Sequence, residues 1–138
     1  MTDITGGCLC GRVRYRASAE PLFTANCHCK HCQKTSGSPF STVLGLPRES
    51  LVLEGALVSY EDKDTESGMA VNRKFCGHCG SPIVSEVTAA PAVVFLKSGS
   101  LDDTSQVKPQ MDIWCEHAQP WVAMDAARAQ IARNPPLG

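Results

Sequence analysis

With 138 residues and 43% apolar content, the chain is sized for one domain, residues 1–138, around one hydrophobic core. Its formal net charge of -1 supplies no general positive field for nucleic acid or an anionic membrane, and no apolar run approaches the roughly 18 residues of a membrane span. Met1 to Gly7 is polar, contains Asp3 and lacks the basic-then-apolar pattern of a signal peptide, so a cytoplasmic protein is expected, with no nucleic-acid and no membrane partner.

The periodicity along the chain is mostly that of strands. In Arg12 to Ala17, apolar Val13, Tyr15 and Ala17 alternate with three arginines, which predicts a strand with one buried and one wet face. A short helical turn is expected from His31 to Ser36, stopped by Gly37. Strands follow at Ser41 to Leu46, ended by Pro47, at Leu51 to Leu53, ended by Gly55, and at Leu57 to Tyr60. Glu61 to Gly68 reads as an acidic loop. Ala70 to Phe75 and Ile83 to Val87 are strands flanking a cysteine pair, and Val93 to Lys97 is a strand before the turn Ser98-Gly99-Ser100. A further strand anchored by Trp114 is expected within Asp112 to His117. Asp125 to Arg133 reads as a helix, with Asp125 as N-cap and Pro135 and Pro136 beyond its end. Many short strands separated by turn signals predict a mainly β architecture with few short helices.

The eight cysteines are not spaced as a disulfide scaffold. Cysteines two or three positions apart bond each other poorly, and disulfides are rare in the cytosol. Their clustering matches metal-ligand spacing. Cys8-Leu9-Cys10 and Cys76-Gly77-His78-Cys79-Gly80 together offer four thiolates, enough for a closed tetrahedral zinc site. Gly80 suits a knuckle whose backbone turns through positive φ to aim N–H groups at sulfur. A closed site does no chemistry; it staples distant segments of chain.

Cys27-His28-Cys29-Lys30-His31-Cys32 is a different object. Cys27, Cys29 and Cys32 reach one metal from a single turn and leave a fourth position for water or substrate, the pattern of a catalytic zinc. His28 and His31 are poor co-ligands, because adjacent residues point in different directions, but they are candidate proton handlers. Cys115 has two readings: a fourth ligand that closes this site, or a small buried hydrophobe on a strand. Lys30, Lys34, Arg73 and Lys74 lie near the cysteine motifs, where they would offset thiolate charge or receive the carboxylates of an anionic thiol; singly, each also suits a solvated surface.

The ordered set Gly-Gly-Cys-x-Cys-Gly, Cys-His-Cys-x-x-Cys-x-x-x-Ser-Gly and Phe-Cys-x-x-Cys-Gly-Ser-Pro-Ile resembles the glutathione-dependent formaldehyde-activating enzyme family, which also includes the centromere protein V domain. The match runs from Gly6 to about Trp121 and takes in Lys97 to Asp103, Trp114 and Trp121. The resemblance implies a β-tent of antiparallel sheets stapled by zinc. It implies two zinc ions per chain: a structural one on Cys8, Cys10, Cys76 and Cys79, and an exchangeable, catalytic one on Cys27, Cys29 and Cys32. It implies a carbon–sulfur lyase like S-(hydroxymethyl)glutathione synthase, with a small-molecule thiol and an aldehyde as partners. Three alternatives stay open: a lyase for another aldehyde–thiol adduct, a non-catalytic zinc module binding a protein, and a redox or metal-buffering role for the Cys27 to Cys32 cluster.

Overall fold

The computed structural model describes residues 3–134. Among these residues, eleven strands form two sheets. The smaller is antiparallel, in the order β1 (Ile4–Gly7), β2 (Arg14–Ala17), β5 (Leu51–Glu54). The larger also contains β3 (Phe23–Cys27), β4 (Ser41–Pro47), β6 (Leu57–Asp62), β7 (Val71–Cys76), β8 (Pro82–Val87), β9 (Val93–Lys97), β10 (Met111–Ile113) and β11 (Ala129–Gln130). Its order is β11-β10-β3-β4-β9-β8-β7-β6. Pairing from β3 to β6 is antiparallel, whereas β10 runs parallel to both β3 and β11. The one α-helix among the described residues is α1 (Lys30–Ser36), and no helix is long and apolar enough to cross a membrane.

The large sheet carries a core on each face, because successive strand side chains point to opposite sides. Leu44 and Leu46 of β4, Val84 of β8, and Val94 and Leu96 of β9 pack with Ile4, Val13, Tyr15 and Ala17 of the small sheet. Cys8 and Cys76 lie in this first core. The alternate residues, Val43 of β4 and Phe95 of β9, pack on the other face with Ala25, Ile113, Trp114 and the cysteines 27, 29 and 32. The central strand β4 is therefore buried on both sides, as its continuous apolar run requires.

Most expected strands are present within a residue or two of their bounds. Three were not anticipated: β1, β3 and, where a helix was expected, β11. Ile4–Gly7 has two glycines and shows no clean alternation; Phe23–Cys27 does alternate apolar Phe23, Ala25 and Cys27 with polar Thr24 and Asn26, a period-2 signal overshadowed by the cysteine motif it runs into. Glu61 and Asp62 extend β6 rather than opening the acidic loop, because they pair with Asn72 and Val71.

The expected helix Asp125 to Arg133 does not form. Asp125 instead caps a turn, accepting from Ala127 N at 2.9 Å and Arg128 N at 3.1 Å, and the chain then joins the sheet as β11. Alanine-rich helix propensity is worth only tenths of a kcal/mol per residue, about what a sheet edge recovers in backbone hydrogen bonds. Arg128 also gains an ion pair with buried Asp112 at 2.9 Å. Pro135 and Pro136 lie outside the described residues. The strand expected over Asp112 to His117 stops at Ile113. Trp114 turns left-handed at φ 56, and Cys115–His117 is a 3-10 turn.

Candidate metal centres and the pocket beside them

The first cysteine cluster forms where the turn after β1 meets the end of β7. The sulfurs of Cys8, Cys10, Cys76 and Cys79 all lie within 4.8 Å of one another. Cys8 Sγ is 3.5 Å from Cys10 Sγ, and Cys10 Sγ is 3.8 Å from Cys76 Sγ. A tetrahedral zinc with Zn–S near 2.3 Å separates its sulfurs by about 3.8 Å, so this donor set fits that ion without rearrangement. Backbone amides point at the sulfurs: Val13 N donates to Cys8 Sγ at 3.2 Å and His78 N to Cys76 Sγ at 3.4 Å. Gly80 turns at φ 78 and donates to Cys76 O at 2.8 Å, as the knuckle geometry demands. Ser81, part of the third motif but without an assigned role there, joins the two halves. Its Oγ accepts from Leu9 N at 3.0 Å and lies 3.2 Å from Cys79 Sγ. Hydrogen bonds from Ser81 lead the effects that hold the Cys79 thiol down at about 5.

The second cluster is local. β3 delivers Cys27 at its end, and Cys29 is the N-cap of α1, its Sγ accepting from Cys32 N at 3.3 Å. Cys32 follows in the first helical turn, so cap and turn bring both sulfurs to one side. Gly37 closes the short helix left-handed at φ 62. The three sulfurs lie within 4.8 Å of one another, and Cys27, Cys29 and Cys32 are all buried or nearly so. Cys115 is not among them: its Sγ is engaged with Asp112 O at 3.3 Å.

Within this cluster Cys32 is the thiol shifted downward, while Cys27 and Cys29 are shifted upward. Hydrogen bonds from Cys27 and Cys29 hold its thiol well below the ordinary range, and the positive charges of Lys97 and Arg73 assist. Hydrogen bonds with Cys29 and Cys32, with burial, push Cys27 upward. Burial lowers Lys97, while the field of Cys32 pulls it back up.

The histidines divide. His28 is fully buried, with Nε2 2.9 Å from Asp112 Oδ1, and Asp112 also receives Asn26 and Arg128. Burial alone would raise Asp112, but those hydrogen bonds outweigh it and hold the carboxyl below its usual value. His28 thus pins β10 to the chain beside the cysteines. His31 lines the pocket described next, its Nδ1 2.6 Å from Asp62 Oδ2, which also accepts from Arg73 Nε at 2.9 Å.

Cys27, Cys29 and Cys32 open onto a pocket of about 130 Å³. Phe23, Val43, Met69, Val87, Phe95 and Trp114 make its apolar walls, and His31, Glu66, Arg73 and Lys97 its charged or titratable ones. The Thr65 to Met69 stretch of the loop after β6 lies along it, moored where Glu66 Oε1 accepts from Lys30 N at 3.0 Å and Oε2 meets His117. Trp114, the one non-glycine with positive φ among the described residues, holds its indole at the wall through Asn134 at 2.7 Å and a stack on His117. Backbone strain of this kind costs on the order of 1–3 kcal/mol and is characteristic of functional sites. Arg73, Ser85 and Lys97 also border an adjoining cavity of about 330 Å³ that includes Lys74, Tyr60 and Thr35.

Of the basic residues near the motifs, Arg73 reaches the cysteine pocket, whereas Lys30 and Lys34 are exposed and Lys74 borders the adjoining cavity. Lys97, Asp62 and Glu66 enter the site without having been anticipated there. Lys97 shared a strand face with Phe95 in the period-2 pattern, which was the available signal; Asp62 and Glu66 sat in a segment that looked like solvated loop.

Comparison with curated proteins gives no match. Among solved structures, the chain is similar to a Rhodobacter sphaeroides protein solved as a structural genomics target. The two share 20% identity at a TM-score of 0.58 over 76% of this chain and 91% of that one, which shows a common fold. A family model described as glutathione-dependent formaldehyde-activating enzyme matches residues 3–117. With that match spanning most of the chain and both cysteine clusters, the protein belongs to the glutathione-dependent formaldehyde-activating enzyme family.

Proposed function

We propose that this protein is a zinc-dependent carbon–sulfur lyase that joins an aldehyde such as formaldehyde to a thiol such as glutathione. The observation that carries the reading is the three-thiol cluster opening onto a pocket while Cys115 is engaged elsewhere. All-sulfur donor sets suit zinc, with Cys8, Cys10, Cys76 and Cys79 holding a structural ion and Cys27, Cys29 and Cys32 a second one. When bound at the second site, zinc supplies a positive charge that stabilises a thiolate and a coordination position open to it.

The chain's own residues supply the rest. Arg73 and Lys97 balance the charge of the cysteine sulfurs and receive the carboxylates of an anionic thiol in the cavity they share with Lys74. Asp62 accepts from His31 Nδ1, which leaves His31 Nε2 as the atom that takes the thiol proton and returns it to the carbonyl oxygen. The apolar walls keep water from competing for the carbonyl. A non-catalytic zinc module would be favoured by a second site closed with four thiolates, and the placement of Cys115 argues against that.

The test is exchange between formaldehyde and its glutathione adduct, followed by NMR in the presence of zinc-loaded protein. Wild type is expected to exceed the uncatalysed rate at least tenfold, and Cys29→Ala to return it to background. A Cys29→Ala variant as fast as wild type would sink the proposal.

A further inference from the structure

We infer that the pocket beside Cys27, Cys29 and Cys32 selects an aldehyde carrying an apolar substituent, a branched alkyl or phenyl group, over formaldehyde. The inference rests on the aldehyde–thiol reading above and names its substrate class. Its basis is the wall of the pocket. Phe23 comes from β3, Val43 from β4, Val87 from β8, Phe95 from β9, Met69 from the loop after β6 and Trp114 from the turn after β10. Phe23 and Phe95 pack ring to ring, 5.7 Å between centroids. Six elements thus converge to build one apolar compartment against the sulfurs.

Size decides what fits there. The pocket, open to solvent on one side, offers about 130 Å³. An apolar cavity of about 150 Å³ accommodates benzene, whereas a water molecule's share of liquid is about 30 Å³. Formaldehyde has a single carbon and oxygen and would leave most of the compartment empty. Empty apolar space forfeits dispersion contacts with its walls, and water entering it would find few polar partners. A hydrocarbon substituent fills the same volume with gain. The charged body of the thiol has its own place in the adjoining cavity of about 330 Å³, entered past Arg73, Ser85 and Lys97, so it need not occupy the apolar compartment.

The chemistry is unchanged and balanced. The thiol sulfur forms a bond to the aldehyde carbon, the π pair of C=O moves to oxygen, and the proton lost by the thiol ends on that oxygen. The product is a hydroxyalkyl thioether, with nothing oxidised or reduced. The substituent remains on the carbon and stays in the apolar compartment throughout.

The experiment uses the full zinc-loaded chain with glutathione and three aldehydes: formaldehyde, 2-methylpropanal and benzaldehyde. Each kcat/KM is divided by the uncatalysed rate constant for the same aldehyde. Transfer of apolar groups from water predicts about fourfold per buried methylene, so benzaldehyde should exceed formaldehyde by tenfold or more. In parallel, benzyl alcohol, which cannot react, is titrated by the fluorescence of Trp114 in a Trp121→Phe background, Trp121 being exposed and away from the pocket lining. Saturable binding is expected. Val87→Phe, and independently Val43→Phe, fill the compartment and should weaken benzyl alcohol binding and cut the benzaldehyde-to-formaldehyde ratio at least tenfold. Formaldehyde turned over as well as benzaldehyde, or no benzyl alcohol binding in the Trp121→Phe protein, overturns the inference. If benzyl alcohol binds and Val87→Phe weakens it while no aldehyde is accelerated, the apolar specificity stands and the lyase chemistry falls.

Discussion

The two cysteine clusters offer the same ligand in different settings, and the difference lies in how far the chain travels between sulfurs. In the first, Cys10 and Cys76 are 66 residues apart, and the four sulfurs join the turn of the small sheet to a strand end of the large one. In the second, all three cysteines fall within one strand end and one helical turn. Closing the longer loop removes about 2 kcal/mol more chain entropy from the unfolded state than closing the short one. On the reading proposed above, a metal in the first cluster would therefore act on the fold, and one in the second mainly on what enters the pocket.

The sharpest way to break this comparison is Cys76→Ser, at a residue 2% exposed in the first core. It should lose one metal per chain and more than about 4 kcal/mol of stability, enough to abolish a cooperative melt. Metal analysis beside thermal unfolding reads both. If Cys76→Ser melts like wild type, the first cluster is not the staple.

Asp112→Asn tests what holds the second region in place. Asp112 is buried under His28, Asn26 and Arg128, and removing its charge should cost about 2–4 kcal/mol. Because its hydrogen bonds overcome burial and lower its folded value, its contribution is present above the ordinary value of 3.8 and fades as pH falls through the lower folded one. Asp62 behaves likewise: burial opposes, but His31 and Arg73 hold it down. Denaturant midpoints of wild type and Asp112→Asn should thus differ at neutral pH and converge in acid. A gap that persists unchanged well below pH 3.8 would remove the carboxylate from the account.

Cys29→Ala should be mild for the fold and severe for function. Losing the helix cap costs about 1 kcal/mol, a few degrees in Tm, while one metal per chain and the adduct-forming activity disappear. Limited chelation of wild type should mimic it, emptying the three-ligand site before the four-ligand one. The smallest effect belongs to Cys115→Ala. The weak Cys115 bond to Asp112 O predicts a change within about 1 kcal/mol and an unchanged metal count. Loss of one metal in Cys115→Ala would show that this thiol closes the second site.

Cysteine spacing was legible in sequence because ligand geometry is short-range. C-x-C, C-x-x-C-G and C-x-C-x-x-C each specify a turn, and the structure brings together the sulfurs those turns anticipate. Strands with clean alternation, such as Arg14–Ala17, were legible for the same reason. The Asp125 to Arg133 segment was misleading. Its alanines favour a helix locally, but a free edge on β10 and the buried charge of Asp112 offer β11 and Arg128 more.

By itself, then, the amino-acid order determined the mainly β class, the two groups of thiols and the glycine at the knuckle, all set by interactions within a few residues. Only the tertiary structure decided that Cys115 faces Asp112 rather than the second cluster, that Lys97 and Arg73 flank Cys32, and that six separate elements wall an apolar pocket beside it. Those facts depend on sheet order and strand register, which place residues far apart in the chain at contact distance and leave no mark on local periodicity.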